Sequence, residues 1–216
     1  MQSQFKTNHL LLTLALFGAN GSGAAEWNQY HGVNSDNKAQ ETLSSTAWLN
    51  KASSQAWKAA TPLGFSSFSV SGGRAFTLVG RTDEDGLKQE FCLALDVKTG
   101  KEVWSAKLDR LDFGRGGGDS GASDNKGGDG PRSTPSAADG KVWVYDADMN
   151  LYCFNASNGK AIWKVSVLKE HSGLPIKWDN ASGPLLEGKN VIVYGGGAGQ
   201  TFLAFDRSTG KTIWKS

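Results

Sequence analysis

Apolar and polar positions alternate along most of this chain in short runs that glycine interrupts. Arg74 to Val79, Lys141 to Tyr145 and Asn190 to Tyr194 are rich in β-branched and aromatic residues, and each follows a polar turn: Gly72-Gly73, Asp139-Gly140 or Glu187-Gly188. Runs of this kind, bounded in this way, predict β-strands joined by hairpins. Beyond the first 25 residues no stretch sustains an apolar period of 3.6, so helices should be few and short.

Three segments align without gaps. Ala94-x-Asp96-x-x-Thr99-Gly100-Lys101-x-Val103-Trp104 is followed by Cys153-x-Asn155-x-x-Asn158-Gly159-Lys160-x-Ile162-Trp163. The third copy is Ala204-x-Asp206-x-x-Thr209-Gly210-Lys211-x-Ile213-Trp214. From Gly to Gly the spacings are 59 and 51 residues. In each copy a strand ends at Asp or Asn, whose side chain accepts from the following amides and starts a turn. Glycine then supplies the positive φ that closes the hairpin. The next strand begins at Lys, and Val103, Ile162 and Ile213 are expected to point inward beside their tryptophans.

Upstream of each copy, Ser66-Ser-Phe68, Ser133-Thr-Pro135 and Ser182-Gly-Pro184 hold equivalent places. Each unit therefore carries four short strands, and four-stranded units stacked face to face are propeller blades. The fold class is all-β: a β-propeller of four-stranded antiparallel blades, about three to four of them present, in an incomplete ring. The blades fall at approximately 63–108, 131–168 and 180–216.

Residues 1–25 carry a different pattern. Lys6 precedes an apolar run from Leu10 to Ala19, and Gly23-Ala24-Ala25 offers the small residues of a cleavage site. This reads as a secretory signal peptide, its apolar run too short to span a bilayer; a buried N-terminal helix is the alternative. No cysteine precedes Cys92, so no lipid-bearing residue is expected at the cleavage point. The expected mature chain, 26–216, is exported to the periplasm or beyond, without a membrane anchor.

Composition narrows the function classes. Twenty-three basic residues against 21 acidic give a formal charge of +2, which offers no electrostatic case for nucleic acid. Two cysteines make neither a disulfide scaffold nor a four-ligand zinc site. Cys92 and Cys153 are expected as buried hydrophobes on third strands, an inter-blade disulfide being the alternative.

The motif from Ala94 to Trp104, with Gly130-Pro-Arg-Ser-Thr-Pro135 and Trp27-Asn-Gln-Tyr-His-Gly32, resembles the repeats of quinoprotein-type (PQQ-like) propellers. That group includes pyrroloquinoline quinone (PQQ)-dependent alcohol dehydrogenases and the propeller lipoprotein of the outer-membrane β-barrel assembly machine. The resemblance implies a tryptophan-docking motif, with Asp96, Gly100, Trp104, Asn155, Gly159, Trp163, Asp206, Gly210 and Trp214 as its structural residues. It implies that Trp104, Trp163 and Trp214 pack between blades, each burying area equivalent to roughly 4–6 kcal/mol before entropy is counted. Trp57 closes an incomplete earlier unit. Family rings have roughly six to eight blades, so an incomplete chain is expected, or several chains completing one ring. Glu26 to His31 is then the strand that latches onto the last blade of a complete protein. Open blade edges favour self-association.

Chemistry is sparse. His31 and His171 lie in no nucleophile pattern. The dehydrogenases' adjacent cysteines are missing, and no calcium-ligand set is identifiable. Asp119, Asp124 and Asp129 recur in a Gly-rich insertion, but their spacing matches no calcium loop. The site candidates come from propeller geometry, in which the entrances to the innermost strands face a central funnel. They are Arg132, suited to an anion, with Ser133, and Trp178, suited to a planar ring, with Asp179 and Asn180. No catalytic residue, metal site or cofactor is assigned. The function expected is an exported, non-catalytic binding or scaffold module with an unidentified protein or small-molecule ligand at the funnel. The alternative is a PQQ-dependent alcohol or sugar dehydrogenase, or a fragment of one, holding PQQ with calcium.

Overall fold

The computed structural model describes residues 26–39, 57–110, 130–176 and 179–216. Residues 1–25, expected as a signal peptide, and the Gly-rich insertion with Asp119, Asp124 and Asp129 lie outside the described residues, as does Trp178.

Three four-stranded antiparallel sheets follow one another along the chain. The first holds β1 (Ser69–Ser71), β2 (Arg74–Thr82), β3 (Lys88–Asp96) and β4 (Glu102–Arg110). The second holds β5 (Ser136–Ala138), β6 (Lys141–Tyr145), β7 (Asn150–Asn155) and β8 (Ala161–Ser166). After a single-turn helix, α1 (Val167–Glu170), the third holds β9 (Leu185–Glu187), β10 (Asn190–Gly197), β11 (Gln200–Asp206) and β12 (Thr212–Lys215). In every sheet the strands lie side by side in chain order, the meander of a propeller blade.

Burial tracks each blade's place in the stack. β6 lies in the middle blade, and its residues after Lys141 are all buried. Val142 and Val144 face the first blade, while Trp143 and Tyr145 face the third. β10, in the third blade, is buried only at alternate positions, the mark of a strand with one covered face. The layer between the first two blades holds Phe76, Leu78, Cys92, Trp104, Val142 and Phe154. The layer between the second and third is built around Trp143, Tyr145, Leu151, Cys153, Val193 and Phe205.

The repeated turn explains its own residue types. Asp96 Oδ1 accepts from the amides of Lys98 and Thr99 and from Thr99 Oγ1, and Asp206 makes the same three bonds to Ser208 and Thr209. Gly100, Gly159 and Gly210 close the turns at φ of 67°, 70° and 72°. A tryptophan from the preceding unit lies on each glycine. A Cβ at Gly159 would stand 2.7 Å from the ring of Trp104, and one at Gly210 2.8 Å from that of Trp163. The indole N–H donates to the carbonyl of the residue following Asp or Asn: Trp104 to Ala156 at 2.9 Å, Trp163 to Arg207 at 3.2 Å. Trp57 sits the same way on Gly100, donating to Val97 at 2.9 Å.

One expectation is corrected here. Val103, Ile162 and Ile213 do not point inward; they are 42%, 45% and 54% exposed. Ala94 pairs with Trp104 while Leu95 pairs with Glu102, so Val103 is the extra residue of a β-bulge. Ile162 and Ile213 occupy the same bulge in their blades. The bulge turns the inserted residue out and aims the tryptophan at the next blade.

Candidate functional site

The segments that precede the innermost strands come together where the blades converge, and they bond to one another. Phe65 N donates to Pro131 O at 2.8 Å, and Ser67 N to Thr134 Oγ1 at 3.2 Å. Ser133 Oγ donates to Ser182 O at 3.0 Å, and the Ser136 hydroxyl donates to Pro184 O. The repeated Ser/Thr hydroxyls thus link adjacent blades, Ser133 and Ser136 donating to carbonyls and Thr134 accepting from an amide.

The sequence-derived candidates take these places. Ser133, Asp179 and Asn180 are buried. Asn180 Nδ2 donates to the carbonyls of Tyr145 (3.2 Å), Asp146 (3.1 Å) and Ser182 (3.1 Å), and Asn180 Oδ1 accepts from Ser182 N and Oγ. Asp179 holds a left-handed backbone at φ 60°. The Arg132 guanidinium lies over the Phe65 ring, 5.6 Å from its centroid, a cation–π contact between the first two entrances.

Residues 26–29 cross the inner edge of the fan. Trp27 and Val70 of β1 exchange backbone bonds of 2.8 and 2.7 Å, Ala137 N of β5 donates to Asn28 O at 2.7 Å, and Leu186 N of β9 donates to Gln29 Oε1 at 3.3 Å. In this chain the segment straps the innermost strands of all three blades. Those strands each have an edge without a neighbour, and an extended segment supplies the missing acceptors.

Beside the third entrance opens a cleft of about 320 Å³ walled chiefly by Met149, Pro175, Ile176, Ala181, Tyr194 and Phe202. Leu174, Ile176 and Phe202 are among the exposed large apolar residues of this region.

Reactive groups are engaged or quenched. His31 Nδ1 lies 3.1 Å from Asn37 Nδ2, and His171 Nε2 lies 3.4 Å from Thr212 Oγ1. Both cysteines are free and buried, Cys92 in the first inter-blade layer and Cys153 in the second. Burial raises both thiols, that of Cys153 to about 12, so neither supplies a thiolate at neutral pH. Among the described residues no three His, Cys, Asp or Glu side chains are placed to hold a metal ion, and no helix is long and apolar enough to cross a membrane.

Residues 89–216 match the family model described as outer membrane protein assembly factor BamB. No curated protein matches the chain. Among solved structures, the quinohemoprotein alcohol dehydrogenase of Comamonas testosteroni is 18% identical, with a TM-score of 0.61 over 92% of this chain and 28% of that one. A europium-containing methanol dehydrogenase is 16% identical, with a TM-score of 0.55 over 88% of this chain and 31% of that one. BamB from Moraxella catarrhalis is 17% identical, with a TM-score of 0.43 over 72% of this chain and 35% of that one. This chain spans about a third or less of each of these proteins. The two dehydrogenases show the fold, and at such identity only the fold.

Proposed function

We infer the function from the family, for the chain belongs to the one described as outer membrane protein assembly factor BamB. We propose that it is an exported, non-catalytic propeller segment that acts as a binding or scaffold module, with Met1 to Ala25 as its export signal. Its tryptophans on Gly100, Gly159 and Gly210 are read as docking contacts of the kind the family resemblance implies.

The observation that carries this reading is how the polar groups are used where the blades converge. Ser133, Ser136 and Asn180 donate to backbone carbonyls of a neighbouring blade or loop. They are therefore committed to holding the fan together rather than to a substrate. The contact surface left is apolar, at the cleft of Ile176, Tyr194 and Phe202, and exposed apolar groups gathered in this way suit a protein partner.

The described residues do not fit a quinone with calcium. The Asn180 amide is fully engaged, the buried Asp146 carboxylate is held by Asn150, and the strap of residues 26–29 crosses the inner edge. No reaction step is assigned.

The test is equilibrium binding of the full chain to a fluorescently labelled, urea-denatured outer-membrane β-barrel protein after dilution of the urea. Saturable binding that Phe202→Ser weakens is expected. Absence of binding by a chain that circular dichroism shows to be folded would overturn the proposal.

A further inference from the structure

Ala147, in the turn between β6 and β7, is gripped from both sides. Its N–H donates to Glu90 Oε2 of β3, in the first blade, at 3.2 Å. Its carbonyl accepts from Asn180 N, at the entrance to the third blade, at 3.1 Å. One residue of the middle blade thus ties both neighbours together.

The partner in the first blade is an unusual choice. Glu90 is 2% exposed and its Oε1 has no hydrogen-bond partner. The groups that face it are Asp146 and Asp148 from the β6–β7 turn, Asp179 from the third entrance, and Tyr152 from β7. Behind Asp146, Asn150 Nδ2 donates to both Asp146 oxygens (3.2 and 3.0 Å) and to Asp109 Oδ2 (2.7 Å). Lys164 Nζ pairs with Asp109 at 2.9 Å.

A carboxylate at Glu90 would face acidic neighbours across a buried interface, with Oε1 lacking a partner in the protein. A proton on Oε1 removes the charge and leaves Oε2 as a carbonyl oxygen for Ala147 N–H. Burial first, then Asp146, hold the Glu90 carboxyl well above the usual range, and burial pushes Asp146 up to about 7.

We propose that Glu90 is a proton-operated latch between blades. Protonated, it seats the Ala147 turn between the first and third blades; when its proton passes to solvent, the charged carboxylate drives the turn off and loosens the first blade from the second. The blade stack is then a device that tightens in acid.

Amide hydrogen exchange at Ala147 tests this, followed by NMR on the full chain between about pH 5 and 9 and corrected for the intrinsic rate. Protection is expected to fall by about tenfold or more in the wild type as pH rises. In Glu90→Gln, which keeps the acceptor oxygen without the titration, it should stay level. Protection that does not vary in the wild type, or that falls equally in the variant, overturns the latch. A carboxyl-¹³C titration of glutamate-labelled wild type does not depend on the variant's folding. One glutamate titrating well above the others is expected, and none would also overturn the latch.

Discussion

Gly159 answers two demands at once. Its φ of 70° is one that side chains resist, and its missing Cβ makes room for Trp104. Gly140 has the same φ of 70° but nothing within 4 Å of where a Cβ would stand. The pair separates backbone strain from crowding. Gly140→Ala should cost about 1 kcal/mol, and Gly159→Ala about 1–3 kcal/mol more, because the indole must move off its carbonyl acceptor. Urea unfolding of both variants measures the difference, and equal losses would mean that the ring contact contributes nothing. This much was legible in the sequence, since a turn needing positive φ beneath a flat ring admits few residue types. Glu90 was not. Its partner lies 57 positions away, and one acidic residue in an apolar strand carries no signal of what it meets.

At the scale of the element, the bulge before each tryptophan decides which way the blade faces. The extra residue was hidden in the sequence because all three copies carry it, so their alignment shows no gap. The inward placement of Val103, Ile162 and Ile213 followed from a period of two that the bulge interrupts. Two neighbouring changes test this. Ile162→Ser, at an exposed site, should alter stability by no more than about 0.5 kcal/mol. Trp163→Ala, which removes the ring lying on Gly210 and its bond to Arg207, should cost about 3–5 kcal/mol, the range for truncating a large packed aromatic side chain. Thermal unfolding of the two variants checks the contrast.

Across the whole molecule, two sets of carboxylates oppose each other. Hydrogen bonds from Lys107, Thr99, Arg81 and Thr209, with neighbouring amides and charges, lower Asp83, Asp96, Glu102 and Asp206 respectively. Their contribution is present above the ordinary carboxylate values and is lost as pH falls through the folded ones. Glu90 and Asp146 are raised, so the folded chain binds their protons more tightly than the unfolded chain does. Their contribution is fully present below the ordinary values and is lost as pH rises toward the folded ones, near 7 for Asp146. Of the lowered groups Glu102 is exposed and Asp83, Asp96 and Asp206 are half-buried at the surface, where solvent screens them, whereas the raised pair is fully buried, so stability should peak near about pH 5 and decline toward neutrality. Melting temperatures that rise steadily from pH 5 to 8 would contradict this.

The stacking of blades was legible at this scale because hydrophobic alternation and turn chemistry repeat within each unit. The strap was not, because Trp27 and Asn28 bond through backbone groups that every residue type shares, and the Gln29 side chain accepts from an amide 157 positions away.

The central claim is that this fan of blades binds without catalysing. Titration of the full chain with PQQ, with and without calcium, tests it most directly, read by tryptophan fluorescence and dye-linked alcohol oxidation. The account predicts neither saturable quenching nor turnover from a folded chain. Saturable, calcium-dependent quenching with turnover would contradict it and make the chain a dehydrogenase segment.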